Sequence, residues 1–432
     1  MLRKPVAVFL AGVASLLLSA SAAGAQEAHA CPKEAPAGTR CFTGRSAEGA
    51  YYWIAVPADW NGGLIVHAHG GPRTETPQPD DPVEDLTRFM VMVRAGYAWA
   101  GSAYRRGGYG VRMAAEDTDR LRQVFVARFG RPKLILLHGQ SWGGNVAAKA
   151  AELYAVDADG ARNYDGVLLT SGVIAGGTRA YRFRADLRAV YQYYCANHPA
   201  ADEPQYPLWQ GLPAGSRLTR KDLSARVEAC TGVGKAAAER TPQQQRNLRD
   251  ILAVTGVRED QLVAHLAWGT FLFRDMVQKR LGGRNPFDNS AVRYRGSHDD
   301  AALNRGVQRF RADPAAVAAL AYDSDLSGLI VLPTLTLHAK GDPTASVSME
   351  ALYRQTVAGA GRADLLVQVF SDEAEHSHLS DAEYAAALET LSRWVLDGRR
   401  PTPQGVGQLC AQDAGAIAGG CHIDPAFIPA GM

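Results

Sequence analysis

The chain has 432 residues, of which 47% are hydrophobic and 21% are charged, and its formal net charge is +2. This composition is typical of a globular protein, and the length allows one large domain with an insertion or two domains. The nearly balanced charge argues against a nucleic acid or another polyanion as a partner.

The first predicted element is a signal peptide over residues 1–25. Arg3 and Lys4 precede an apolar run at 5–20, and Ala-Gly-Ala at 23–25 follows as a cleavage site. Ala-His-Ala at 28–30 is a second choice of cleavage site. The apolar run is short for a membrane span, and no later segment is apolar enough to cross a bilayer. The sequence therefore predicts an exported protein, secreted or periplasmic, with no membrane span in the mature chain.

Export would place the six cysteines in an oxidising compartment, where an even number of cysteines favours disulfides. Many pairings are possible, and some of these residues could be free buried thiols. No Cys-x-x-Cys pair and no spaced cluster of His and Cys points to zinc. Chain order suggests three local bridges, which are Cys31–Cys41, Cys195–Cys230 and Cys410–Cys421.

The first part of the core, residues 26–173, alternates predicted strands with predicted helices. Such alternation predicts a mostly parallel sheet with helices on both faces. The predicted strands are 51–56, 63–69, 97–104, 133–138 and 165–171, and the predicted helices are 84–95 and 114–129 with a further helix after residue 141. Tyr104, at the end of one strand, either lines the site or packs in the core.

The strand at 133–138 leads into Gly139-Gln140-Ser141-Trp142-Gly143, which small residues of helical character follow. This order is typical of a nucleophile elbow, a strained turn that presents a serine hydroxyl at the end of a strand. Gly139 and Gly143 suit it because a Cβ at either position would crowd the turn. The amide of Trp142, at a helix N-terminus, could face a developing anion. The alternative is an ordinary serine in a glycine-rich turn.

From residue 174 to 326 the sequence predicts helices alone. Thr241, Pro242 and Gln244 form the start of one helix, with a capping box. The segment 262–273 is unusually apolar and serves either as core or as an acyl-binding wall. About 150 residues are too many for a simple crossover, so we expect an all-helical cap domain inserted at 174–326.

The second part of the core, 327–398, resumes the alternation, and a tail at 399–432 held by its own disulfide follows. Asp342 comes after an apolar run at 329–338, and His376 lies in the loop after the last predicted strand, 365–370. The carboxyl ends of parallel strands share one edge, so both residues should lie near Ser141. Ser141 would attack, His376 would act as general base and then acid, and Asp342 would orient the imidazolium. His378 and Asp372 are the competing base and acid.

Over roughly residues 51–396 the chain resembles the α/β-hydrolases. The motifs that carry this resemblance are His69-Gly70-Gly71-Pro72, Gly139 to Gly143, Lys340-Gly341-Asp342-Pro343 and His376-Ser377-His378-Leu379-Ser380 followed by Glu383. The family's register favours His376 over His378. The resemblance implies that the amide of Gly71 is a second oxyanion donor beside that of Trp142. It also implies a secreted serine esterase or lipase-like enzyme with a large helical cap and no cofactor.

Several functions agree with this pattern. The leading one is hydrolysis of carboxylic esters, small or polymeric, including polyester or lipid-like substrates, through an acyl-enzyme. The motifs also resemble those of prolyl aminopeptidases, which need an acidic residue in the cap, with Glu203, Glu228 and Glu259 as candidates. A non-catalytic binding protein is a third hypothesis, against which the intact catalytic set argues. His67 and His69 could form a metal pair, but His69 belongs to the oxyanion motif and His67 suits the core.

Overall fold

The computed structural model describes residues 27–415, 417 and 419–430. The signal peptide predicted at 1–25 lies outside these residues. Within the described part of the chain, no helix combines the length and the apolar character that a membrane crossing needs.

One nine-stranded sheet organises the described residues. Its strands are β1 (Glu27–His29), β2 (Arg40–Arg45), β3 (Tyr51–Val56), β4 (Gly63–Ala68), β5 (Ala98–Ser102), β6 (Leu134–Gln140), β7 (Gly166–Thr170), β8 (Thr334–Ala339) and β9 (Leu366–Ser371). They lie in the order β1-β2-β3-β5-β4-β6-β7-β8-β9. The first four in this order pair antiparallel, and every pair from β5 to β9 is parallel. The predicted mostly parallel sheet is therefore confirmed.

Fourteen α-helices of the described residues accompany the sheet. They are α1 (Asp81–Arg88), α2 (Met90–Arg94), α3 (Val111–Phe129), α4 (Trp142–Tyr154), α5 (Gly177–Ala180), α6 (Arg182–Cys195), α7 (Arg220–Thr231), α8 (Pro242–Thr255), α9 (Leu262–Ala267), α10 (Asp300–Gly306), α11 (Pro314–Ser324), α12 (Ser348–Gly359), α13 (Asp381–Asp397) and α14 (Pro403–Asp413). Short π-helical segments at Trp268–Leu272 and Asp275–Arg280 continue α9.

The helices cover both faces of the sheet, because successive side chains of a strand point to opposite faces. In β4, Leu64 and Val66 belong to the apolar core that includes residues of α3, α4 and α12. Ile65, between them, belongs to a second core that includes residues of α1, α2, α13 and α14. The near-continuous apolar character of β4 and β6 follows from this double coverage.

Between β7 and β8 the described chain contributes no strand to the sheet, and it contains α5 to α11. The capping box predicted at Thr241 is present, with Thr241 and Gln244 each bonding the other's backbone amide. The fold thus contains the inserted helical region, whereas its boundaries at 174–326 remain a prediction. The structure forms the three disulfides that chain order suggests, Cys31–Cys41, Cys195–Cys230 and Cys410–Cys421.

Three details differ from the predicted elements. The run 329–338 is a strand only from Thr334, because Pro333 has no amide hydrogen for a sheet and Leu329 and Val331 are exposed. The helix predicted at 84–95 divides at Phe89 into α1 and α2. The tail forms α14, a helix absent from the predicted elements, which Thr402 caps and in which Pro403 occupies the first turn.

Candidate active site

Ser141 occupies a sharp turn between β6 and α4, with φ of 58° and ψ of −126°. A positive φ is uncommon for a residue with a side chain and costs on the order of 1–3 kcal/mol. Hydrogen bonds hold the turn in place. The amide of Ser141 donates to the carbonyl of Thr170 at 3.0 Å, and the carbonyl of Ser141 accepts from Gly144 and Val173, each at 2.9 Å.

The two glycines of the elbow are required by close backbone contacts. A Cβ on Gly139 would lie 2.1 Å from the carbonyl oxygen of Gly143, and one on Gly143 would lie 2.0 Å from that of Ala68. Both oxygens belong to backbone that is fixed within the sheet or the helix. The N-terminus of α4 therefore lies directly against the ends of β4 and β6, as the elbow motif predicts.

His376 joins Ser141 to Asp342. Its Nε2 lies 2.8 Å from Ser141 Oγ, and its Nδ1 lies 2.7 Å from Asp342 Oδ2. The carboxylate of Asp342 can only accept a hydrogen bond, so Nδ1 of His376 carries the hydrogen. Nε2 of His376 is then free to accept the proton of the serine hydroxyl. The structure thus brings together three predicted residues that are far apart in sequence.

Asp342 is held as an ionised group. Its side chain is fully buried, and Oδ1 accepts hydrogen bonds from the amides of Thr344 at 2.8 Å and Ala345 at 2.9 Å. Burial by itself disfavours the carboxylate, but the hydrogen bond from His376 and the attraction to it outweigh burial and lower the pKa of Asp342. The carboxylate is therefore available to orient and stabilise the imidazolium.

The competing base and acid lie elsewhere. The side chain of His378 is 67% exposed and pairs with Glu375. That of Asp372 is 74% exposed, and its Oδ1 lies 3.1 Å from Lys340 Nζ. The hydrogen bonds to Ser141 and Asp342 belong to His376.

The loop after β4 lies against the nucleophile. A Cβ on Gly70 would lie 3.4 Å from the Cβ of Ser141 and 2.7 Å from Gln140 Oε1, so this glycine permits the close approach. Gly71 has φ of 130°, and a Cβ there would lie 2.8 Å from the amide nitrogen of Arg73. The first amides of a helix have no partner within it, which leaves that of Trp142 at the start of α4 open to a ligand. The sequence did not predict the close approach of Gly70 to Ser141.

Beneath this loop lies a buried cluster that the sequence revealed only in part. Asp85 Oδ2 is 3.3 Å from His69 Nδ1 and 3.2 Å from His67 Nε2. Burial favours a neutral Asp85, but its interactions with His67 and His69 outweigh burial and hold its pKa well below the ordinary value. Within the described residues, no set of three or more His, Cys, Asp or Glu side chains is placed to hold a metal ion.

Ser141 opens into a cavity of about 350 Å³. Most of the side chains around it are polar or charged, including Arg73, Glu84 and Arg88. Trp268 is the one lining residue from the apolar segment 262–273, whereas Phe273 of that segment is buried and stacks on Phe287. The segment is therefore mainly core.

No family model matches the sequence. The chain is 27% identical over 415 residues to the o-phthalyl amidase of Xanthobacter agilis, an alignment that covers 83% of this chain and 87% of the relative. Similar solved structures include an esterase from Aspergillus oryzae, with 13% identity, a TM-score of 0.43 and coverage of 84% of this chain and 80% of that one. Another is Candida antarctica lipase A in its closed state, with 12% identity, a TM-score of 0.44 and coverage of 87% and 86%.

The topology itself identifies the fold. The serine follows β6, a central parallel strand, while the acid follows β8 and the histidine follows β9 at the same edge of the sheet. Three further features accompany this order. The strands at one edge of the sheet are antiparallel, a crossover places β5 between β3 and β4, and the serine lies in a strained turn. With this arrangement, the chain is a protein of the α/β-hydrolase fold.

Proposed function

We propose that this protein is a serine hydrolase that cleaves carboxylic esters through an acyl-enzyme. One observation carries the proposal, namely that His376 lies 2.8 Å from Ser141 Oγ and 2.7 Å from Asp342 Oδ2 at the same time. A serine hydroxyl is a weak nucleophile until a positioned base removes its proton, and this geometry supplies the base and the group that orients it.

In the first half of the reaction, Ser141 Oγ attacks the acyl carbon and its proton passes to Nε2 of His376. The oxyanion of the tetrahedral intermediate accepts hydrogen bonds from the amides of Trp142 and Gly71. When the intermediate collapses, the bond to the leaving alcohol breaks and the alcohol takes the proton from His376. The acyl group is then esterified to Ser141.

In the second half, water attacks the acyl carbon and gives one proton to His376. The bond to Ser141 Oγ breaks, the serine regains its proton, and the carboxylic acid leaves. Asp342 stabilises the imidazolium in both halves, because its carboxylate accepts the hydrogen bond from Nδ1 throughout. No cofactor takes part in this scheme.

The cavity favours small, polar acyl groups. Its volume of about 350 Å³ lies at the low end of the volumes of ligand-binding pockets. Pockets that bind apolar substrates are lined mainly by apolar side chains. Trp268 is the one large apolar residue in the lining of this cavity, to which Arg73, Glu84 and Arg88 also contribute. The lining therefore favours short acyl groups over the long chains of lipid-like substrates.

Hydrolysis of amides is the second candidate, because the chain is similar to an o-phthalyl amidase. An aminopeptidase finds less support, since it needs a free acidic group in the cap. Glu203 pairs with Arg226, the carboxylate of Glu228 accepts from an amide of its own segment, and Glu259 pairs with Arg240. These three residues are thus engaged with groups that do not line the cavity beside Ser141.

The helical region 174–326 would act as the cap of the site. Trp268 lines the cavity, and Nε2 of His265 lies 2.8 Å from the carbonyl oxygen of Pro343 in the acid loop. The proposal includes export through the signal peptide at 1–25, since three disulfides suit a protein of an oxidising compartment.

The test compares the wild type with Ser141→Ala on p-nitrophenyl esters of rising acyl length and on acyl and aminoacyl p-nitroanilides. We expect ester turnover with a short-acyl optimum, and a loss of about 10⁴-fold or more in Ser141→Ala. Ser346→Ala, which removes a hydroxyl that bonds only Ser348, is the control and should keep full activity. Turnover that survives Ser141→Ala would overturn the mechanism, and anilide turnover in excess of ester turnover would make the protein an amidase.

A further inference from the structure

Beside Asp342 lies a buried histidine that the reaction scheme does not use. His338, on β8, has a fully buried side chain. Its Nδ1 lies 3.1 Å from Glu350 Oε1 on α12, and its Nε2 lies 2.8 Å from the carbonyl oxygen of Ala345. The same Nε2 is 3.6 Å from Asp342 Oδ2, the oxygen that His376 contacts.

These contacts define the protonation of the His338 ring. A backbone carbonyl only accepts, so Nε2 carries a hydrogen. Nδ1 faces a carboxylate whose other oxygen, Oε2, already accepts from Thr336 Oγ1 at 2.7 Å and from Gln368 Nε2 at 2.5 Å. The two donors on Oε2 favour the ionised form of this carboxylate, which can only accept, so Nδ1 carries a hydrogen as well. His338 is therefore an imidazolium between two carboxylates.

The surroundings agree with a charged ring. Burial disfavours the imidazolium, but the hydrogen bond to Glu350 and the attraction of Glu350 and Asp342 outweigh burial and raise the pKa of His338. The other titratable or charged groups that surround this cluster are His376 beyond Asp342, Arg184 on α6, His265 on α9 and Tyr353 on α12.

We propose that Glu350 and His338 are positioning residues for the hydrolysis, which place a positive charge beside Asp342 and hold its Oδ2 within reach of His376. Without this charge, the site would contain two buried carboxylates, those of Asp342 and Glu350, in mutual repulsion. With the imidazolium of His338 present, the two carboxylates and this ring carry a net charge of one negative unit. That single negative charge balances the positive charge that His376 acquires when it becomes an imidazolium. The positioning role rests on the proposed function, whereas the protonation of His338 does not depend on it.

The positive charge also has a consequence for His376. Imidazoliums on His338 and His376, which both lie close to Asp342 Oδ2, would repel each other, so the charge on His338 disfavours a second positive charge on His376. Removal of Glu350 removes the group that keeps His338 charged. His338 Nε2 lies 3.6 Å from the Asp342 oxygen that His376 contacts, whereas Glu350 contacts Nδ1, the other nitrogen of the His338 ring. Loss of the charge on His338 should therefore outweigh loss of the charge on Glu350 and favour protonated His376, and the acidic limb of the pH profile should move to higher pH.

The first experiment reads the protons directly. Wild-type protein labelled with ¹⁵N-histidine should contain at pH 7, above the ordinary histidine pKa of 6.5, a ring in which both nitrogens carry hydrogen, and this signal should be lost in Glu350→Gln. A wild-type spectrum without any doubly protonated ring at pH 7 would overturn the proposal, whether or not the enzyme has a known substrate. This measurement does not depend on activity, so it is independent of the outcome for Ser141→Ala.

The second experiment uses a substrate whose turnover needs Ser141. In Glu350→Gln we expect kcat to fall about tenfold with KM within about twofold, and the acidic limb of the kcat/KM profile to move to higher pH. Tyr353→Phe, also buried on α12, is the control and should change stability without moving the limb. An unchanged profile and kcat in a folded Glu350→Gln would overturn the proposal, as would an equal shift in Tyr353→Phe.

Discussion

Nδ1 of His67 lies 2.9 Å from Nδ1 of His138, so one buried imidazole donates a hydrogen bond to the other beneath the oxyanion loop. Asp85 determines the direction of this bond, because its Oδ2 lies 3.2 Å from Nε2 of His67 and favours the hydrogen on that nitrogen, which leaves Nδ1 of His67 to accept. His138 then donates from Nδ1, and its Nε2 accepts from Thr170 Oγ1 at 3.0 Å. The chain of bonds is complete when both rings are neutral.

This pair predicts a pH dependence of stability. Burial lowers the pKa of His67 and of His138 from 6.5. A lowered pKa means that the unfolded chain binds the proton more readily, so the pair's contribution is complete above pH 6.5 and is lost as the pH falls below that value. His138→Gln, which takes up no proton, should lose less stability between pH 7 and pH 5, by up to about 1.4 kcal/mol per pH unit. Urea unfolding of the wild type and of His138→Gln at both pH values measures the two losses of stability. Equal losses in the two proteins would contradict the prediction.

The two histidines of the loop after β9 should differ sharply in their effect on activity. His376→Ala removes the group that bonds Ser141 and Asp342, and we expect kcat/KM to fall about 10⁴-fold or more. His378→Ala removes an exposed ring paired with Glu375, and we expect a change within about twofold. Ester turnover by the two variants at equal protein concentration is the measurement. A large loss in His378→Ala alone would assign the base to that residue.

Gly143 should not tolerate a side chain. A Cβ there would lie 2.0 Å from the backbone oxygen of Ala68, and the backbone can yield only by moving α4 away from β4. We expect Gly143→Ala to lower the free energy of unfolding by about 1–3 kcal/mol or more and to abolish turnover. Gly359→Ala, at the end of α12 where a Cβ meets nothing within 4 Å, is the matched control and should be neutral or slightly stabilising. Full activity in Gly143→Ala would contradict this geometry.

These cases show which features the sequence can reveal. Apolar periodicity predicts the strands of the parallel core, since each is covered on both faces, and the motif around Ser141 is contiguous. Asp85, His338 and Glu350 escaped prediction because their chemistry depends on contacts between separate elements. His338 looks like an ordinary strand residue until α12 places Glu350 at 3.1 Å from its Nδ1. The tail helix α14 escaped because a Gly-, Pro- and Ala-rich composition hides its Thr402 cap.

The bridge between Cys195 and Cys230 should contribute more stability than that between Cys31 and Cys41. It spans 35 residues against 10, and a longer closed loop removes more entropy from the unfolded chain. The chain-entropy relation gives about 4 kcal/mol for the longer loop and about 3 kcal/mol for the shorter. Double Cys→Ser variants of each pair, unfolded in urea, provide the comparison. A larger loss for the shorter bridge would show that native packing, rather than loop entropy, dominates.

The hydroxyl of Tyr104 should affect catalysis through the oxyanion loop. Tyr104 is 4% exposed, and its hydroxyl donates at 3.0 Å to the backbone carbonyl of His69, one residue before the glycine that contacts Ser141. Tyr104→Phe leaves that carbonyl unsatisfied, at a cost of about 1–3 kcal/mol unless the loop moves. A displaced loop misplaces a donor that acts mainly in the transition state, so kcat should fall about tenfold while KM changes little.

Tyr97→Phe is the matched control for Tyr104→Phe. Its hydroxyl is also buried and lies 2.7 Å from Ser392 Oγ, in the core on the other side of the sheet from Trp142. It should lower stability without lowering kcat, because none of its contacts reaches the loop after β4. Steady-state kinetics and urea unfolding of both variants separate the two effects. Equal losses of kcat in the two variants would mean that the fall reflects a general loosening of the core. A fall confined to Tyr104→Phe would mean that the hydrogen bond to the His69 carbonyl keeps the oxyanion donor in position.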